Sequence, residues 1–346
     1  MGIVPESIFV SALRTLCKMF FAVCGILLAF FLFFFVYSLV FGTSLVEPKT
    51  TMTILPDAQG QREMVSSHAP AILQLNIHGI IGEPAILDSE SVRNILLESR
   101  TGLLANNRVK GILLHFNTPG GTVVDSDSIY QMLVDYKTKY KVPIYAYVDG
   151  LCASGGMYIA SSAEKIFASP VSIIGSVGVI FGPFFNLYET LGKIGVQMRT
   201  LTEGKDKDAM SPFKQWQEGE DASYKEIMSY FYNRFVEIVT SARPSLVKEK
   251  LIHQYGAQIF DPGKAKEYGY IDEISLNRNI ALAALLQEAQ INPAEPYQVV
   301  ELEPRIQWFA QLIQGTSNLA HGRIEHYFDL GQPKIRDQFA YLYQPE

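Results

Sequence analysis

Residues 19–41, MFFAVCGILLAFFLFFFVYSLVF, run for 23 positions without a charge. At about 1.5 Å of rise per residue such a helix reaches about 34 Å, against a hydrocarbon core of about 30 Å. The stretch predicts a transmembrane helix. A secretory signal core is shorter, about 7–15 residues with small residues at a cleavage site behind it, so a retained anchor is expected. Arg14 and Lys18 stand before the span, whereas Glu47 and Lys49 after it nearly cancel. This asymmetry predicts that residues 1–18 are a cytoplasmic amino terminus and that the chain beyond residue 41 lies on the far side.

Hydrophobic residues make up 48% and charged residues 18% of the 346-residue chain, enough for one large folded unit with extra segments at its ends. Cys17 and Cys24 lie at or in the span, which leaves Cys152 alone in the body of the protein. No disulfide can form there, so the fold must rest on packing. A net charge of −6 argues against a nucleic-acid surface, which would carry a basic patch. No clustered His/Cys ligand set occurs, so neither a metal nor another cofactor is expected.

Residues 42–70 carry Pro, Gly and polar residues without apolar periodicity and predict a linker stalk. The folded domain is expected over 71–290. There, apolar runs of strand length (AILQLNIHGII, VKGILLHFN, VPIYAYVD, KIFAS) alternate with helical patterns (DSESVRNILLESR, VVDSDSIYQMLVDYKTK, SGGMYIASSA). This is the pattern of right-handed βαβ units and of an α/β layered core. In DASYKEIMSYFYNRFVEIVTSARP, Ile227, Phe231, Phe235, Ile238 and Val239 recur at helical spacing and predict a long amphipathic helix facing the core or a second subunit. Residues 291–346 read as a carboxyl-terminal extension.

Three glycine-marked strand ends follow one another: HFNTPGGTVVDSDSI (115–129), DGLCASGGMYIA (149–160) and SPVSIIGSVGVIFG (169–182). The carboxyl ends of strands are where α/β proteins assemble their sites. In NTPGG, Pro119 is expected to stop the strand, and Gly120 and Gly121 to leave amides free for an anion or oxyanion. A plain tight turn accounts for the same residues. Ser154 stands between strand and helix, as a nucleophile on an elbow does, although the G-x-S-x-G spacing is absent. A helix N-cap accounts for it as well.

A serine nucleophile needs a base, and no histidine occurs between His115 and His253. A triad with its histidine shortly after the serine is excluded, and His78, His115 and His253 read as structural or surface residues. A lysine can serve when burial disfavours its charged form. Lys165, Lys193, Lys205 and Lys207 are candidates. TEGKDKDAMSPF (202–213) puts two of them in one loop after an expected strand VQMRTL, although Lys207 between Asp206 and Asp208 equally describes a solvated charge cluster.

In order and spacing, NTPGG, ASGGMYIASSAEKIFASPVSIIGSVGVI and KDKDAMSP resemble the signal peptide peptidase A (SppA-like) serine proteases. FDPGKAKEYGYIDEI resembles the closing segment of that family. The likeness covers roughly residues 71–275, and the layout resembles the short, single-repeat, membrane-anchored form. It implies a Clp protease/crotonase-like fold, a layered β-α superhelix, behind an amino-terminal transmembrane helix. It also implies a Ser/Lys dyad in which Ser154 matches the nucleophile, Lys207 the general base and Ser176 the serine that orients the lysine. The amides of Gly121 and Gly155 match the oxyanion hole. Two positions depart from the pattern: Met157 stands where an aromatic residue is frequent, and Lys205 offers a second amine close to Lys207.

The resemblance further implies a serine endopeptidase that degrades remnant signal peptides and other hydrophobic peptides at the membrane, without cofactor. It implies a homo-oligomer, an octameric ring in single-repeat members, in which neighbouring protomers supply the Ser and Lys of one site. It places the chain in the bacterial inner (cytoplasmic) membrane with the catalytic domain on the periplasmic side. Two rivals remain at this point. One is a crotonase-like acyl-CoA enzyme, disfavoured because a domain outside the cytoplasm does not meet CoA; the other is a catalytically silent membrane scaffold of the same fold.

Overall fold

The period-two apolar runs become the strands of one mixed sheet. The computed structural model describes residues 8–41, 50–84, 86–304 and 340–342. It forms two units, 1–48 and 49–346. The first contains α1 (Ile8–Phe41). Within it Leu13–Phe33 has a mean hydropathy of 2.5, and one helix among the described residues is thus long and apolar enough to cross a membrane. Its described side chains, 13–33, are all exposed. The expected amino terminus 1–18 lies outside the described residues up to residue 7.

In the second unit the chain runs through β1 (Thr50–Leu55), β2 (Ala71–Ile81), α2 (Ser89–Glu98), β3 (Val109–Thr122), α3 (Val123–Tyr140), β4 (Ile144–Ala153) and α4 (Gly155–Ala160). It continues with β5 (Lys165–Ala168), β6 (Ile173–Gly175), α5 (Tyr188–Lys193), α6 (Ala222–Ala242), α7 (Lys248–Lys250), β7 (Ile259–Phe260) and α8 (Pro262–Tyr268). The last elements are β8 (Glu273–Ile274), α9 (Arg278–Glu288), β9 (Gln298–Pro304) and β10 (Ala340–Leu342). Along the sheet the order is β1-β9-β2-β3-β4-β5-β8, with β10 beside β3 and with β6 between β4 and β7. From β9 to β8 the neighbours are parallel.

Alternation sorts the side chains onto two faces. Leu73, Leu75 and Ile77 of β2, with Ile112, Leu114 and Phe116 of β3, join the core beneath α2, α3, α4 and α6. Their neighbours Ile72 and Leu113 point the other way, against Leu282, Leu285 and Leu286 of α9. Helix α9 has 11 residues and would be marginal alone. Each buried leucine contributes about 1.5–3 kcal/mol, enough to hold it to the sheet. The α/β layered reading is borne out.

Some expectations change. The stretch taken as a stalk contains β1, which pairs antiparallel with β9 from Thr50↔Pro304 to Leu55↔Val299. Residues 298–304, taken as extension, therefore belong to the same sheet through their pairing with β2. A six-residue strand with alternating Thr and apolar residues needs only an edge to bind, and β9 supplies it. Residues 42–49, 305–339 and 343–346 of the expected stalk and extension lie outside the described residues. VQMRTL forms no strand, and Val196, Met198 and Leu201 are exposed. On α6, Phe235 and Val239 are buried, Phe231 and Ile238 are packed against the core, and Ile227 is exposed.

Candidate active site

Strand β4 forks the sheet. Its first half, Tyr145–Val148, pairs with β5, and its last residues, Leu151–Ala153, pair with β6. The change of partner falls at Gly150, whose φ is 132°. Asn117 of β3 accepts from Leu151 N there (3.2 Å) and keeps the two strands together. Strand β3 does not stop at Pro119 but runs on to Thr122. Proline is tolerated because β3 and β4 part after Thr118↔Cys152, and the register with β2 slips between His78 and Ile80. A residue outside both ladders needs no N–H.

Ser154 begins where β4 ends. Its φ and ψ are 54° and −117°, a conformation that costs a non-glycine residue about 1–3 kcal/mol. Ser154 N donates to Gly175 O (2.9 Å), and Ser154 O accepts from Tyr158 N (3.1 Å). The backbone is thus over-determined on both sides. The side chain makes no cap bond to α4, which removes the N-cap account of this residue. Ser154 is 1% exposed, and among the described residues its Oγ has no hydrogen-bond partner.

Gly121 and Gly155 meet beside it. A Cβ on Gly155 would lie 2.4 Å from Ser126 Oγ and 3.3 Å from Gly121 N. On Gly121 a Cβ would lie 1.8 Å from Ile81 O, so only glycine admits this approach of β2. Gly155 opens α4, where first-turn amides lack acceptors within the helix. On the other side of Gly121, β10 pairs antiparallel with β3 through Tyr341↔Gly121.

Ser176 adjoins the same place through Gly175, the acceptor of Ser154 N. It is 6% exposed with φ 57°, and its N donates to Gln258 O (2.7 Å). Lys207 makes no hydrogen bond to the buried Ser154 hydroxyl. It is exposed, and among the described residues its Nζ makes no hydrogen bond or ion pair. Lys205 faces Asp206 at 3.8 Å and is 92% exposed. Met157 is fully buried with its Sδ 3.8 Å from Cys152 Sγ, so it belongs to the core and lines no open pocket. Burial pushes the Cys152 thiol up, as an inert structural thiol requires.

The histidines lie elsewhere. His78 and His115 pack edge to face at 4.7 Å, and His115 stacks on Tyr147. Burial, then His78, lowers His115 to about 4. His253 is exposed beside Glu249. Sequence reasoning missed the helix-α3 residues that pack on the site. Thr122 caps α3 by accepting from Asp125 N and donating to Asp125 Oδ2, a Thr-x-x-Asp spacing that signals a helix start. Nothing local signals Asp127, whose partner Arg234 is 107 residues away.

Residues 136–292 match the family described as peptidase family S49. That match takes in a little under half of the chain, so the similarity to this family holds for the matched segment. The S49 match spans Ser154, Gly155, Ser176 and Lys207, whereas Gly121 precedes it. A candidate signal peptide peptidase SppA of Enterococcus faecium is 33% identical over 231 residues, 64% of this chain and 65% of that protein. A candidate protease of Methanocaldococcus jannaschii is 32% identical over 190 residues, 55% of this chain and 60% of that protein. The chain thus spans less than two thirds of the length of these relatives. Among solved structures, a ClpP1 variant of Listeria monocytogenes is 20% identical and covers 60% of this chain and 94% of its own, with a TM-score of 0.38. The likeness to SppA-like proteases read from the motifs is borne out.

Proposed function

We propose that this chain is a membrane-anchored serine endopeptidase that cuts hydrophobic peptides such as remnant signal peptides. The observation that carries the reading is Ser154. Its hydroxyl is buried, without a partner among the described residues, and held on a strained turn beside the Gly121 and Gly155 backbone. A buried hydroxyl without a partner costs about 1–3 kcal/mol and a strained φ costs as much again. A fold keeps such a residue where chemistry needs it.

In the proposed reaction Lys207 Nζ takes the Ser154 Oγ proton as the oxygen attacks a peptide carbonyl carbon. The amides of Gly121 and Gly155 receive the oxyanion, and Ser176 orients the lysine. Collapse of the intermediate expels the amine, which leaves with the proton, and water then hydrolyses the acyl-enzyme. The exposure of Lys207, set against the burial of Ser154, supports a base supplied by a neighbouring protomer. Segment 184–201, just before Lys207, exposes Phe185, Ile194 and Leu201 at 72%, 69% and 82%, an apolar surface that assembly would cover. Helix α1 supports anchoring at the bilayer, where hydrophobic peptides partition, and its flanking charges support a catalytic domain outside the cytoplasm.

The test is hydrolysis of a hydrophobic peptide by the full chain in detergent. Ser154→Ala and Lys207→Ala should each abolish it, and mixing the two inactive proteins should restore part of it if neighbours share a site. Hydrolysis at the wild-type rate by Ser154→Ala rules the reading out.

A further inference from the structure

Helix α4 has six residues, too few to hold a direction by its own hydrogen bonds. Its orientation, and with it the Gly155 amide, must come from tertiary contacts. Gly155 rests on Ser126 of α3, and one turn further on Tyr158 is fully buried. The Tyr158 ring packs against Tyr130 of α3 and Phe235 of α6, at 5.6 Å and 5.1 Å between centroids. Its hydroxyl donates to Asp127 Oδ1 at 2.6 Å. The same oxygen accepts from Arg234 Nε at 3.0 Å and Nη2 at 2.7 Å, so α6 orients the carboxylate.

These bonds close a loop around the site. Gly121 leads through the Thr122 cap into α3; Asp127 of α3 grips Tyr158; and Tyr158 leads back one turn to Gly155. We propose that Asp127 is a positioning residue, which acts through Tyr158 to set the separation between the Gly121 and Gly155 amides. The inference rests on the peptidase reading for its catalytic consequence, and on the helix contacts alone for its mechanical part. Donors to a developing oxyanion act over a few tenths of an ångström, and a misplacement of about 1 Å costs about 10²-fold. Aspartate suits the task because one fixed oxygen accepts the Tyr158 hydroxyl together with two N–H groups of the Arg234 guanidinium.

The experiment compares full-length Tyr158→Phe, Asp127→Ala and Asp127→Asn with wild type. Tyr158→Phe keeps the ring and loses only the grip. It should lower kcat about tenfold with KM changed less than about twofold, since binding along the peptide is untouched. Asp127→Ala should match it, whereas Asp127→Asn retains an acceptor oxygen and should stay within about threefold of wild type. Amide hydrogen exchange of the segment around Gly155 should quicken about tenfold in Tyr158→Phe while the strands stay protected. Wild-type kcat in Tyr158→Phe, or a loss that merely follows the unfolded fraction, overturns the proposal. Equal losses in Asp127→Asn and Asp127→Ala would assign the effect to charge and overturn it too. If the wild-type chain cleaves nothing, the peptidase reading falls, while unchanged exchange in Tyr158→Phe separately refutes the mechanical link.

Discussion

Gly155→Ala is the sharpest probe of the proposed oxyanion site, because one added methyl meets both its neighbours at known distances. The new Cβ would stand 2.4 Å from Ser126 Oγ, and ordinary contact begins at 3.4 Å, so about 1 Å must be found. Ser126 gives way poorly, because its hydroxyl donates to Thr122 O at 2.7 Å and the residue is fully buried. Helix α4 must therefore shift and take the Gly155 amide with it. Overpacking of this kind costs about 1–3 kcal/mol of stability, and loss of one oxyanion donor costs about 10²–10³ in kcat. Peptide hydrolysis should fall about 10²-fold at temperatures where the variant is still folded by circular dichroism. Adding Ser126→Ala removes the obstructing oxygen and should return about tenfold of the loss. Hydrolysis within threefold of wild type in Gly155→Ala, or no recovery in the double variant, would refute the reasoning.

Ser154→Gly should abolish hydrolysis yet raise the melting temperature, since it relieves a positive φ and removes an unpaired buried hydroxyl, for a net gain of about 1–2 kcal/mol. A lower melting temperature would contradict the strain. His115 should make the fold acid-sensitive. Its folded pKa of about 4 lies below the ordinary 6.5, so the unfolded chain binds the extra proton. Stability is complete above pH 6.5 and lost as pH falls toward 4, by about 3 kcal/mol. Urea unfolding of His115→Gln should show a flatter pH dependence over that window, and an equal slope in both proteins would count against it. Tyr341→Pro removes a ladder donor from β10 and should speed amide exchange at 120–122; unchanged exchange there would mean that the Tyr341↔Gly121 pairing does not protect that edge.

Much of this was legible because local chemistry and tertiary packing agree. The apolar runs at 71–81, 109–117 and 144–148 became neighbouring parallel strands because each carries apolar side chains that are buried against a layer on either face of the sheet. A serine at a strand-to-helix junction and paired glycines mark local backbone demands, but those marks fit a helix cap and a plain turn equally; only the family resemblance implied roles for Ser154, Gly155 and Gly121. Pro119 misled because proline is a breaker only where its N–H is required, and the fork of the sheet removes that requirement. VQMRTL misled in the opposite sense, as alternation makes a strand only beside an edge that pairs with it.

The sequence by itself determined the membrane-length helix, the order of βα units and the small residues at the site, because hydrophobic period, charge and the lack of a Cβ act within a few residues. Tertiary structure decided the rest. It brought β1 and β9 together across more than two hundred residues, placed Asp127 against Arg234, left the Ser154 hydroxyl without a partner among the described residues, and left Lys207 exposed. Each of these depends on which distant surface arrives at a given edge. No local pattern carries that information, because the free energy that selects the partner is released only on contact.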